Sequence, residues 1–227
     1  MPKPSSIRCV AYGVIRRIRN AGLATIFLGA AATAEPVTIV ALGDSLTQGY
    51  GLHAEDGFVP QMQAWLEAEG ADVTLINAGV SGDTTAGGLS RIEWTLTPEV
   101  DALIVALGGN DMLRGLDPQL ARENLDGILS IAGERELPVL LVGMDAPPNY
   151  GPDYEEAFEN MYPDLAETHG ALLEPNFLGA LASLNDRALA LERYMQGDRI
   201  HPNKDGVALI VKALGPRVKE LAGQVVE

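Results

Sequence analysis

The sequence predicts an α/β fold, a three-layer α/β/α domain built on a parallel five-stranded sheet, and three observations predict it. Four short runs are continuously apolar rather than alternating, the pattern of strands buried on both faces. Stretches of helical period separate them, and every run is followed by Gly, Asp or Asn. Alternation of strand and helix gives parallel strands, because right-handed crossovers lay helices over both faces of a sheet.

In order, the runs are Val37 to Leu42, Val73 to Ile76, Ala102 to Leu107 and Val139 to Met144, with a fifth strand expected at Ala171 to Leu173. Phe58, Met62, Trp65 and Leu66 recur at helical spacing after the first run, and Leu125, Ile128, Leu129 and Ala132 after the third. A helix from about Tyr154 to His169 precedes the fifth strand, and Val207, Ile210, Val211, Leu214, Val218 and Leu221 mark a last one. In such folds the ligand sits beyond the carboxyl ends of the strands, where strand order reverses. The segments there are Gly43 to Leu46, Asn77 to Thr84, Gly108 to Asp111 and Asp145 to Gly151, all rich in Gly, Asn and Asp, which permit tight turns.

The first 34 residues differ in kind. Lys3, Arg8, Arg16, Arg17 and Arg19 precede the apolar run Ala21 to Ala32 and the small-residue triplet Ala32-Thr33-Ala34. That order predicts an export signal over residues 1–34, cut after Ala34, and a catalytic domain over residues 35–227. The uncharged run 20–34 falls short of the roughly 20 residues a membrane span needs, so a cleaved signal leaves no stable membrane insertion. A periplasmic or secreted location follows. The chain carries 16 basic and 31 acidic residues, a net charge of -15, which excludes nucleic acid as a partner. Its single cysteine, Cys9, excludes a disulfide framework and a Cys-rich metal cluster.

Ser45 follows a buried strand directly, which aims its hydroxyl at the carboxyl end of the sheet. A serine attacks a carbonyl only when a base takes its proton, and that base must be oriented by an acceptor on its other ring nitrogen. Asp198-Arg199-Ile200-His201-Pro202 supplies both within one turn. The resulting oxyanion needs preorganised donors, which Asn110 supplies by its side-chain amide and Gly82 and Ser45 by their N–H groups. His53 reads as a rim residue and His169 as a helix-end histidine. Asp44 and Asp111 read as acceptors for the N–H groups of their own loops. Two other readings use the same residues: an oxygen-rich metal site of Asp44, Asp111, Asp198 and His201, and a binding module without turnover.

Four blocks, GDSLTQGYG from Gly43, NAGVSGDTTAGGLSR from Asn77, GGNDMLRG from Gly108 and DRIHPN from Asp198, resemble the GDSL esterases of the SGNH hydrolase superfamily. The resemblance implies a flavodoxin-like SGNH hydrolase fold, with Ser45 as nucleophile, His201 as base and Asp198 as its orienter. It also implies an oxyanion hole from Ser45, Gly82 and Asn110, a small-molecule ester as substrate, and no cofactor or metal. Asn149-Tyr150-Gly151 and the stretch after it are similar to the bacterial arylesterase and thioesterase I/lysophospholipase group. There this segment covers the acyl site, which implies Asn149 and Tyr150 as substrate-binding residues. The function expected is an exported serine esterase acting on acyl or aryl esters, thioesters or lysophospholipids. A carbohydrate O-acetyl esterase is the alternative.

Overall fold

The computed structural model describes residues 35–226, so the export signal expected over residues 1–34 lies outside the described residues. Strands β1 (Val37–Gly43), β2 (Val73–Gly79), β3 (Ala102–Ala106), β4 (Val139–Val142) and β5 (Leu172–Glu174) form one parallel sheet in the order β2-β1-β3-β4-β5. The chain steps from β1 to one side and then crosses to the other, so strand order reverses beside β1. Gly43, which ends β1, is in register with Gly79 of β2 and Ala106 of β3. The three segments that carry Ser45, Gly82 and Asn110 therefore leave the sheet at one level.

Successive strand residues face opposite sides, which divides the core in two. Ile39, Ala41, Ile104, Leu140 and Val142 pack on the layer of α2 (Phe58–Ala68), α7 (Gly179–Ala182) and α9 (Lys204–Val226). Val40, Leu42, Leu103, Val105 and Leu141 pack on α3 (Thr85–Thr95), α5 (Pro118–Glu134) and α6 (Pro152–His169). Three short helices, α1 (Ser45–Gln48), α4 (Gly109–Leu113) and α8 (Arg187–Tyr194), lie in the connections at the carboxyl end of the sheet or near it. Among the described residues no helix is long and apolar enough to cross a membrane.

Three expectations about elements need correction. Strand β2 is not buried on both faces: Val73 and Leu75 are buried, but Thr74 is exposed and Ile76 is 41 % exposed. It is an edge strand with one face covered by α2, so its burial alternates. Gln63 of α2 also covers its edge, donating to the Val73 carbonyl at 2.9 Å and accepting from the Leu75 N–H at 2.8 Å. Strands β3 and β4 stop at Ala106 and Val142, short of Leu107 and Met144, while β5 runs one residue later than expected. Helix α3 was not signalled, because Gly87 and Gly88 depress helix propensity over its first turns. Gly88 leaves room for Leu107, whose Cδ1 would lie 2.3 Å from a Cβ there and would have to turn aside.

Gly79 has a comparable role at the level of the site. A Cβ on it would lie 2.3 Å from the Gln48 nitrogen and 2.8 Å from the Asp44 carbonyl oxygen. Both are backbone atoms of the turn that holds Ser45, so no side-chain rotation relieves the clash. Gly79→Ala is expected to destabilise the protein by about 3 kcal/mol and to lower its melting temperature by roughly 6–12 °C. A thermal melt within two degrees of wild type would show that α1 shifts without cost.

Candidate active site

Ser45 opens α1 immediately after β1. Asp44 caps that turn, its Oδ1 accepting the Leu46 N–H at 3.0 Å. The other end of the chain supplies the facing group. The turn from Gln196 to Arg199 closes through the Arg199 N–H and the Gln196 carbonyl at 2.9 Å, and Arg199 has φ 59°. This left-handed step folds the chain back on Asp198. Asp198 Oδ1 accepts the N–H groups of Ile200 at 2.9 Å and His201 at 3.0 Å, and Oδ2 lies 2.7 Å from His201 Nδ1. His201 Nε2 lies 2.9 Å from Ser45 Oγ. With a carboxylate on Nδ1, the neutral ring carries its proton there, and its Nε2 lone pair faces the serine hydroxyl. The hydrogen bond from the His201 ring, with the two backbone N–H groups, holds the Asp198 carboxyl down to about 2.

Two residues to which the sequence motifs assign no role, Gln196 and Tyr50, lock this arrangement. Gln196 Nε2 donates to the Tyr50 carbonyl at 2.8 Å and to the Pro202 carbonyl at 3.0 Å, which ties the histidine loop to the loop after α1. The Tyr50 ring lies 4.7 Å from the His201 ring, tilted by 40°. Such contacts join residues some 146 positions apart and leave no periodic trace.

Asn110, in the first turn of α4, donates from Nδ2 to Asp44 Oδ2 at 3.1 Å. Asp44 thus serves its own loop, as expected, and also aims the Asn110 amide. Burial pushes its carboxyl up to about 6, against the opposing pull of the Leu46 N–H, His201 and Asn110. Asp111 differs from expectation, since its partner is another loop. Its oxygens accept the Thr85 N–H at 2.8 Å and the Thr85 hydroxyl at 2.6 Å, with Asn124 Nδ2 donating to that hydroxyl at 3.0 Å. The oxygens of Asp44, Asp111 and Asp198 are therefore engaged by separate sets of donors.

Gly82 lies in the exposed loop between β2 and α3, with φ 83°, in the region that favours glycine. Its carbonyl accepts from Arg114 Nη2 at 2.6 Å, at the end of α4. The next residue, Asp83, pairs with Arg91 at 2.8 Å, and Arg91 Nη2 donates to the Gly43 carbonyl at 3.0 Å. The Gly82 loop is thereby tied both to the Asn110 helix and to the strand before Ser45.

Ser45, Asn110 and His201 line a cleft of about 750 Å³ whose walls include Met112, Met144, Leu178, Leu181 and Leu184. Asp145 to Pro148 form part of the wall. Tyr150 stands beyond it, 38 % exposed, its ring 4.8 Å from that of Tyr154, and Asn149 precedes it in the same short 3-10 turn. His53 is exposed and precedes the turn Ala54–Asp56, and His169 ends α6 with Nε2 2.7 Å from Asp126. A serine hydroxyl facing an oriented imidazole, with an amide donor and an apolar cleft beside it, is equipped for nucleophilic attack on a carbonyl carbon.

Comparison with known proteins agrees with this chemistry. Residues 41–209 match the GDSL-like Lipase/Acylhydrolase family. Esterase TesA of Pseudomonas aeruginosa is 38 % identical over 200 residues, which cover 88 % of this chain and 95 % of the relative. Thioesterase 1/protease 1/lysophospholipase L1 of Escherichia coli K12 is 33 % identical, over 81 % of this chain and 84 % of the relative. The crystal structure of AlinE4, an SGNH-hydrolase family esterase, superposes with a TM-score of 0.67 at 44 % identity, covering 83 % of this chain and 98 % of that one. The chain is thus a member of the GDSL-like lipase/acylhydrolase family, with the SGNH hydrolase fold, and a carboxylic ester hydrolase.

Proposed function

We propose that residues 35–227 form an exported serine esterase that cleaves acyl and aryl esters, thioesters and lysophospholipids among them, through an acyl-enzyme on Ser45. The observation that carries the reading is the continuous hydrogen-bonded chain from Asp198 through His201 to Ser45. In this mechanism His201 takes the Ser45 proton as Oγ attacks the carbonyl carbon. The tetrahedral oxyanion is held by the N–H groups of Ser45 and Gly82 and by Asn110 Nδ2, each donor contributing about 3 kcal/mol to lowering the barrier. Collapse expels the alcohol or thiol, which takes the proton from His201. Water then attacks the acyl-enzyme by the same route, and the acid departs.

The apolar side chains of the cleft, Met112, Met144, Leu178, Leu181 and Leu184, support an acyl or aryl group over a sugar acetate. The segment Asp145 to Tyr150 supports substrate binding through its cleft-facing half, with Asn149 and Tyr150 as its outer end. The test is a panel of acetyl, butyryl, octanoyl, aryl, thioester and lysophospholipid substrates, run with phosphonate labelling mapped by mass spectrometry. The expected result is one phosphonyl group on Ser45 and turnover that favours acyl or aryl esters. Preference for acetylated sugars, or labelling elsewhere, would overturn the reading. Export is tested separately: the secreted or periplasmic protein should begin at Glu35, and an intact Met1 in the cytosol would exclude it.

Asn110→Ala is expected to lower kcat by about 10²–10³ with KM changed less than twofold, because the amide matters most once charge has built up on oxygen. Steady-state kinetics on one soluble ester would measure both. A change in KM alone would assign Asn110 to ground-state binding.

A further inference from the structure

Among the described residues, two other than glycine have a left-handed backbone, Glu136 and Arg199. Glu136 directly follows the C-cap of α5, where such a conformation is the ordinary way to end a helix. Arg199 follows no helix end. It occupies a position that favours glycine, between Asp198 and His201, and it is among the residues that line the cleft that holds Ser45. Arg187, the first residue of α8, lines the same cleft.

Neither guanidinium is ion-paired among the described residues, whereas Arg91, Arg122 and Arg217 each hold a carboxylate. The acids of the cleft have other partners: Asp44 binds Leu46 and Asn110, Asp145 binds Asn176, and Glu159 accepts the Ala146 N–H. Glu155, the remaining one, stands in the first turn of α6. In a chain with 31 acidic and 16 basic residues, the site thus presents two arginines whose charge is not neutralised by a carboxylate. Leu184, Leu191 and Ile200 line the same cleft.

We infer that Arg199 and Arg187 recognise an anionic oxygen group, phosphate or carboxylate, on the ester in the cleft, and so select anionic amphiphiles over neutral esters of equal length. The inference rests on the reading of this cleft as the ester-hydrolysing site. Guanidinium presents a planar fork of donors that matches the oxygens of either group. The acidic surface repels anions at long range, but salt screens that repulsion over about 10 Å, leaving the local pair to decide inside the cleft. The left-handed backbone at Arg199 is then the conformation through which a side chain beside His201 reaches the substrate.

The test measures kcat/KM for two matched pairs of soluble substrates, all below their micellar concentration. One pair is p-nitrophenyl pentanoate and the p-nitrophenyl monoester of glutaric acid, with the charge on the acyl side. The other is a short-chain monoacylglycerol and its glycerol phosphate counterpart, with the charge on the alcohol side. The anionic-to-neutral ratio is expected to fall about tenfold or more in Arg199→Gly and in Arg187→Gln for at least one pair. It should also fall with rising salt in the wild type. Arg199→Gly suits the backbone, so loss of fold does not confound it, and Arg199→Lys should retain part of the preference. The pair that responds assigns the charge to the acyl or the alcohol side. Ratios within twofold of wild type for both pairs, with neutral ester turnover still dependent on Ser45, would overturn the arginine assignment alone. Absence of Ser45-dependent turnover would overturn the underlying reading as well.

Discussion

Ser45→Ala is expected to lower kcat by about 10⁶, and adding His201→Ala to it is expected to cost almost nothing more. Ser45 Oγ and His201 Nε2, 2.9 Å apart, act as a unit in the proposed mechanism: without the hydroxyl the imidazole has no proton to take, and without the imidazole the hydroxyl is a weak nucleophile. What survives in either variant is the work of the oxyanion donors and of binding, about 10³–10⁴ over water. The measurement is kcat on a p-nitrophenyl ester for both single variants and the double, beside a thermal melt to show that each is folded. Losses that multiply in the double variant, or Ser45→Ala retaining more than about 1 % of wild-type activity, would contradict a serine mechanism of this kind.

The second large effect belongs to Asp198→Asn, which is expected to lower kcat by about 10⁴. The amide oxygen can still accept the Ile200 and His201 N–H groups, so the turn persists. Its NH₂ now donates to Nδ1, which forces the ring proton onto Nε2 and leaves no lone pair for Ser45. The Asp198 carboxyl, held down to about 2, is charged throughout the working range, so what the substitution removes at every such pH is the acceptor that fixes the ring's tautomer. The measurement is kcat on one soluble ester, beside a thermal melt. An unchanged rate would mean that another acid orients the imidazole.

How much of this was legible in sequence depended on how local the signal was. Strands β1, β3 and β4 declared themselves because both faces are buried and the apolar run is unbroken, whereas β2 looks the same over four residues yet lies at an edge. Asp198 and His201 are three residues apart, so one turn contains their whole relation. The turn residues that fix Ser45 are different. Gly79 reads as an ordinary loop glycine, and only the packing of α1 against β2 shows that no side chain fits. Arg114 on the Gly82 carbonyl, Arg91 on the Gly43 carbonyl and Thr85 on Asp111 join segments 26 or more positions apart. Such contacts follow from which strands are neighbours, and no window of sequence contains that order.

In the proposed mechanism the two reacting groups are Ser45, after the first strand, and His201, before the last helix, 156 positions apart. The base is synthesised long after the nucleophile, and the sheet must be assembled before the two meet. Pairing this remote in sequence is among the slower events of folding. On that mechanism a nascent or half-folded chain is inert toward esters, however early its serine loop takes shape. Regained turnover would then mark the final closure of the fold, and the reaction itself would report when folding is complete.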